Sequence, residues 1–440
     1  MSICFAEQSK KTLDFFKSII GNIEWEKRHN NIKKFLQEIN CTEEDELNII
    51  QKKQNLKKDY FGLCLYTLTN IINTGKCNDP ILAGRLYPFF TLIGTNIEKF
   101  KSILHVEKKI KDLFKNHKND PFPTLYEFIV AIYYLQNGWN VTFIPESKKE
   151  KRPDLKATKN DMELYIECKF LSKDYDYAKI EHKKILELWS NVIIKCPDAI
   201  NKIFDIKFKT PLKILEEEFL SNLISKIVKD DIKEYENDQV MITTLKLDVD
   251  KINHHLSNND VNINSSFMIN LIFDEYNPIN AYNVVYVDDT GFFYDYNLNI
   301  KYPKSLKSIF CLKWKSLSDE AIYKRSRYIF NKIKEGMSQL TKKDNKIIHV
   351  GYETVDDAPI ETEKLNKLYR EIDKLELQPD AIFINAFIGV STLDNFEILE
   401  TCHPYYFNSN LKKILPDCTL IFVFNETKFS RSTGHWNMNS

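Results

Sequence analysis

Two runs decide how this chain is read: Arg152-Pro153-Asp154-Leu155-Lys156-Ala157-Thr158 and Met162-Glu163-Leu164-Tyr165-Ile166-Glu167-Cys168-Lys169-Phe170. Side chains alternate between the faces of a strand. Met162, Leu164, Ile166, Cys168 and Phe170 therefore make one apolar face, and Glu163, Tyr165, Glu167 and Lys169 the other. The strict period of two predicts a strand. Lys159-Asn160-Asp161 between the runs is a polar turn signal. If Asn160 and Asp161 form a two-residue hairpin loop, Lys159 faces Met162. Counting outward, Asp154 then faces Glu167, with Cβ atoms roughly 5 Å apart. Two like charges placed opposite one another are destabilising unless something compensates them. A hard divalent cation does so, and Mg²⁺ is commonly held by one or two carboxylates plus waters and phosphate oxygens. Lys169 points to the same side and brings a compact positive charge.

These residues resemble the PD-(D/E)xK nuclease superfamily. Pro153-Asp154 matches the first half of its motif and Glu167-Cys168-Lys169 the second. Glu127, on the preceding helix, matches a further acid found in many members. The likeness spans residues 120–210, about a fifth of the chain. It implies an α/β fold with a restriction-endonuclease-like mixed sheet core in the order αβββαβ. It also implies Mg²⁺ or Mn²⁺ bound by Asp154, Glu167 and the Cys168 carbonyl, with Glu127 a further ligand, direct or through water. Lys169 would position or deprotonate the attacking water and stabilise charge on phosphorus. The expected partner is nucleic acid, DNA first. Spacing alone is not specific, since Glu-x-Lys recurs at Glu107, Glu146, Glu181 and Glu426. Pro416-Asp417 even precedes Glu426-Thr427-Lys428, but the turn of that rival would fall at Ile421-Phe422, inside an apolar run with no turn residue.

Glu127 also has a local reading. Thr124-Leu125-Tyr126-Glu127 is a capping-box pattern, in which Glu127 would bond back to Thr124. The sequence leaves cap and metal-site acid both open. The charged run at residues 146–152 reads either as a phosphate-contacting lip beside Asp154 or as a solvated loop.

The 440 residues suffice for two or three domains. Lys+Arg and Asp+Glu both number 62, so any nucleic-acid contact must come from local patches. The nine cysteines form no Cys-x-x-Cys pair and are expected reduced, in a cytoplasmic protein. Neither a secretion signal nor a transmembrane run is legible, so no membrane partner is expected. With 11 glycines and no Gly-rich phosphate loop, nucleotide-hydrolysing and dinucleotide enzymes are disfavoured.

Three regions are expected: a helical N-terminal domain at 1–118, the nuclease-like core at 119–235, and a C-terminal α/β extension at 236–440, for which continuation of the core sheet is one expectation. The first reads as a DNA- or partner-binding domain or a packing, dimerising bundle, so a homodimer is one expectation. Residues 174–196 read as a helix and 202–209 as the fourth core strand. Strands are expected at 240–249, 282–288, 347–351, 381–389 and 419–424, with 292–296 pairing back on 282–288. Residues 318–341 read as a long helix whose polar face carries Lys324, Arg325, Arg327, Lys332 and Lys334. The lead function is a metal-dependent nuclease. The alternative is an inactive nuclease-fold scaffold that binds nucleic acid or a protein partner.

Overall fold

The computed structural model describes residues 3–41, 59–147, 149–172, 176–288, 292–340, 343–354, 356–391, 396–415 and 420–422. The two key runs form a hairpin. β2 (Leu155–Lys159) pairs antiparallel with β3 (Met162–Leu171), with Lys159 opposite Met162 and Leu155 opposite Ile166. Asn160 opens the turn at φ 54°, the left-handed conformation that Asn tolerates best after Gly. β1 (Asn140–Phe143) pairs antiparallel on the outer side of β2.

The other strands are β4 (Lys202–Phe208), β5 (Glu234–Glu236), β6 (Val240–Lys246), β7 (Ala281–Asp288), β8 (Phe292–Asp295), β9 (Ile300–Pro303), β10 (Leu306–Ser316), β11 (Lys346–Glu353), β12 (Ala381–Ser391) and β13 (Phe396–Tyr406). A six-stranded sheet has the order β1-β2-β3-β11-β12-β13. β3, β11 and β12 run parallel, and β13 closes the edge antiparallel to β12. The architecture is mixed α/β.

Three expectations are corrected here. Residues 202–209 do form a strand, but β4 lies in a separate five-stranded sheet of order β5-β6-β4-β10-β7. The fourth strand beside the hairpin is β11, reached through the helix Asp319–Leu340. Residues 119–235 are therefore not one core, because the second sheet is built between the two halves of the first. Alternation reports which face of a strand is buried, not which sheet it joins. β8 pairs with β9 rather than with β7. The strand expected at 419–424 is irregular at 420–422, and its remainder, like most of the rival motif, lies outside the described residues.

The N-terminal helices are not a separate domain either. Helices Ile3–Ile20, Asn22–Cys41, Tyr60–Thr74, Pro80–Thr95 and Val106–Lys115 share one apolar core with the helix Phe122–Gln136 and the inner face of the six-stranded sheet. Phe16 shows the continuity, with its ring 5.6 Å from Phe90 and 6.2 Å from Phe128. The close approach of Pro80–Thr95 to β12 depends on glycine. A Cβ on Gly389 would stand 2.6 Å from the Gly84 carbonyl oxygen. Arg85, on the same helix, makes two 2.7 Å hydrogen bonds to Glu353 at the end of β11. Pro121 and Pro123 start the next helix, where a missing N–H costs nothing.

The opposite face of the sheet is covered by Asp319–Leu340 and Ala358–Ile372, through Ile329, Ile333, Met337, Leu365 and Leu368. Ser318 caps the first of these, its hydroxyl accepting from the Ala321 N–H. Arg325 departs from expectation: it is buried and paired with Asp356 and Glu181. Among the described residues no helix is long and apolar enough to cross a membrane.

A chain beginning at Asp120 is expected to lose cooperative folding, because it strips the cover from the inner face of the sheet. Urea unfolding followed by circular dichroism checks this, and a single sharp transition for residues 120–440 would contradict the shared core.

Candidate active site

The hairpin register carries Asp154 to the head of β2, next to Glu167 on β3. There the Asp154 carboxylate accepts a 2.8 Å hydrogen bond from the Cys168 N–H, which ties it to the neighbouring strand. Glu167 and Lys169 lie on the sheet face covered by Asp319–Leu340, and Lys169 Nζ stands 2.6 Å from Glu167 Oε1. Glu167 is wholly buried. The covering helix makes room for it at Gly336, where a Cβ would lie only 3.2 Å from Glu167 Cγ. Lys169 is also 3.5 Å from Glu335, one residue earlier on that helix.

Glu127 reaches the same region from the helix Phe122–Gln136, on the other side of the sheet. That helix begins before Thr124, and no side chain caps it. The capping-box reading is thereby removed. Glu127 Oε2 instead lies 2.7 Å from Lys109 Nζ, with Glu146 at 3.6 Å from the same nitrogen. Asp154 and Lys169 line an open cleft of about 510 Å³ together with Glu335, Lys149, Lys151 and Arg152. Residues 146, 147 and 149–153 thus form one wall of the cleft, and the Lys151 ammonium donates to the Ser338 hydroxyl across it.

The electrostatics follow from this crowding. Burial first, then the Asp154 charge, push the Glu167 carboxyl up to about 9, with Lys169 pulling the other way. Glu127 is raised by burial and by Asp154 against the pull of Lys109. Asp154 is raised by burial, although Lys109, Lys169 and the Cys168 N–H all favour its charged form. Burial disfavours the Lys169 ammonium, but Glu167 and Asp154 outweigh it and hold the lysine charged. Three carboxylates thus share the region with the half-buried ammonium groups of Lys109 and Lys169. The Cys168 thiol is pushed far up by burial and sits in the apolar core, so it is not a nucleophile.

The residues fit a hard divalent cation. Glu167 Oε2 is buried without a hydrogen bond, while Glu167 Oε1 and Glu127 Oε2 meet the ammonium groups of Lys169 and Lys109. A buried acceptor left without a partner is costly. Among the described residues no set of three or more His, Cys, Asp or Glu side chains stands close enough to hold an ion. Mg²⁺ requires less, one or two carboxylates with waters completing the shell. Asp154, Glu167 and the Cys168 carbonyl are the groups that would hold it, with Glu127 behind them.

Sequence reasoning missed Lys109, Glu335 and Gly336. Lys109 lies on an amphipathic helix whose other buried residues are apolar, and nothing local separates it from its solvent-facing neighbours. Glu335 and Gly336 sit some 165 residues beyond Lys169, and only the crossover brings them there.

In divalent-free buffer, stability is expected to fall as pH rises from about 4.5 to about 9. The folded chain keeps a proton on Glu167 that the unfolded chain gives up, so raising the pH favours unfolding. Urea unfolding of wild type and Glu167→Gln across that window tests this. The variant should have the shallower slope, and parallel slopes would show that Glu167 is not the retained proton. No protein-family model, no curated protein and no solved structure matches this chain.

Proposed function

We propose that this protein is a metal-dependent phosphodiester hydrolase acting on nucleic acid, with Asp154, Glu167 and Lys169 at its centre. One observation carries the reading. Asp154 and Lys169, the residues the hairpin register sets beside Glu167, line one cleft while Lys169 contacts Glu167 directly. The order helix, β1, β2, β3, helix, β11 supports it, since it is the αβββαβ order of a restriction-endonuclease-like core interrupted by an insertion. The free thiols at Cys64, Cys77, Cys168, Cys196, Cys311 and Cys402 are in keeping with a reducing, cytoplasmic setting.

Asp154 and Glu167 would hold Mg²⁺ or Mn²⁺, with the Cys168 carbonyl as a third ligand and Glu127 as a further acid. The ion, when bound, lowers the pKa of a coordinated water and offsets charge on the phosphate. The chain supplies the rest. Lys169, held charged between Glu167 and Glu335, orients the water and opposes the negative charge that grows on phosphorus. Because its proton is retained, electrostatic stabilisation suits it better than general-base work. Lys149, Lys151 and Arg152 on the cleft wall would meet backbone phosphates. Lys109 neutralises part of the acid cluster and fixes Glu127.

A second reading draws on the complete burial of Glu167. It is a nuclease-fold scaffold that binds nucleic acid or a protein partner, including a second copy of itself, without cleaving. Divalent binding separates the two. In isothermal titration Mn²⁺ should bind the wild type and fail to bind Asp154→Asn.

Lys169→Met keeps the stem and removes the charge. It is expected to retain Mn²⁺ binding and to lower turnover by at least about 10²–10³-fold, the scale on which a transition-state charge partner counts. Cleavage of single- and double-stranded DNA and RNA with Mg²⁺ or Mn²⁺ measures this. Undiminished turnover would end the assignment of Lys169. Glu127→Gln should weaken Mn²⁺ binding if Glu127 is a ligand, and unchanged affinity would leave it only the role of pairing with Lys109.

A further inference from the structure

Two lysines stand among the acids of the candidate site, and they are not equivalent. Lys169 lines the cleft beside Asp154, where it would meet substrate. Lys109 and Glu127 are not among the residues that line it. They come from the side of the sheet that carries the helix Phe122–Gln136.

The carboxylates on the two sides also differ in what they lack. On the Lys169 side, Glu167 Oε2 is buried without a partner, which leaves an acceptor for an ion to fill. On the Lys109 side the corresponding place is taken. The helix Val106–Lys115 is tied to β1 just before its start, where the Phe143 N–H donates to the Leu104 carbonyl at 3.1 Å. It buries Val106, Ile110 and Leu113, and Lys109 stands at the margin of that face. From there its ammonium reaches Glu127 Oε2 at 2.7 Å and Glu146 Oε1 at 3.6 Å. Asp154 is near enough for the charges of both Lys109 and Lys169 to act on it.

Phosphoryl-transfer sites that use two metal ions hold them roughly 3.5–4 Å apart. A second ion here would have to sit among Glu127, Glu146 and Asp154, and the Lys109 ammonium is already there. It is a compact single charge with three donors to give to carboxylate oxygens. An entering cation would have to expel it or sit against it, and like charges repel. Among the described residues no three acids close on one point tightly enough for an ion while the lysine stands between them. Two carboxylates with waters are enough for Mg²⁺, so Glu127 with either neighbour would serve once the lysine is gone. We infer that Lys109 occupies the place of a second cation and limits the site to one divalent ion per chain, held by Asp154 and Glu167. The inference rests on the metal-dependent reading above and adds to it the number of ions.

The test titrates the full chain with Mn²⁺ alone, by calorimetry and by electron paramagnetic resonance, so no activity enters. The wild type is expected to bind one Mn²⁺. Lys109→Ala is expected to bind two, with the second ion broadening the resonance of the first. Lys111→Ala removes an exposed lysine from the same helix and makes the same change in net charge, and it should still bind one. Lys109→Ala combined with Glu127→Gln should return to one, because the second ion then loses its carboxylate. Should Lys109→Ala fail to fold by circular dichroism, Lys109→Gln, which keeps hydrogen-bonding donors near the acids, takes its place with the same expected count. Two ions on the wild type would overturn the inference without recourse to any variant. So would one ion on the folded, uncharged Lys109 variant, or two on Lys111→Ala. No ion on the wild type would instead sink the metal-dependent reading itself, and this inference with it.

Discussion

The parallel pairing of β3 with β11 is the constraint on which the rest of the structure depends. Parallel neighbours cannot be joined by a tight turn and need a crossover. Here the chain leaves β3 at Leu171 and returns at Lys346, having built an entire second sheet on the way. The last part of that excursion is the helix Asp319–Leu340, and it must lie across the face that carries Glu167 and Lys169. Gly336 keeps this from becoming a clash, and Glu335 then reaches Lys169. The cleft wall opposite residues 149–153 is therefore a consequence of the sheet topology.

The second consequence is electrostatic. A buried carboxylate is tolerated only when something favours its charge. Glu127, Asp154 and Glu167 have Lys109, Lys169 and one backbone N–H between them, and the raised carboxyls show that this does not suffice. Arg85 with Glu353 makes the contrast: both groups are buried, and two good hydrogen bonds join them. The first arrangement leaves Glu167 Oε2 buried without a partner, and the second has the closed geometry of a structural tie.

The hairpin was legible in the sequence because everything that sets it is local. Period-two alternation fixed the faces of β3, and Asn160-Asp161 fixed the turn and with it the register that sets Asp154 beside Glu167. The identity of the strand beside β3 was not legible, because β4 and β11 carry equally good strand patterns and pairing between distant segments leaves no local trace. Lys109, Gly336 and the buried Arg325 belong to the same class: each is ordinary in its own helix and acquires its role from a partner far away in the chain. The merging of the N-terminal helices with the sheet was also decided at that level, since an amphipathic face states that it must be covered but not by what. The sequence by itself determined the chemistry-bearing hairpin and the faces of its strands. Tertiary structure decided which groups close around it, because burial and charge pairing act between segments that only the completed fold brings together.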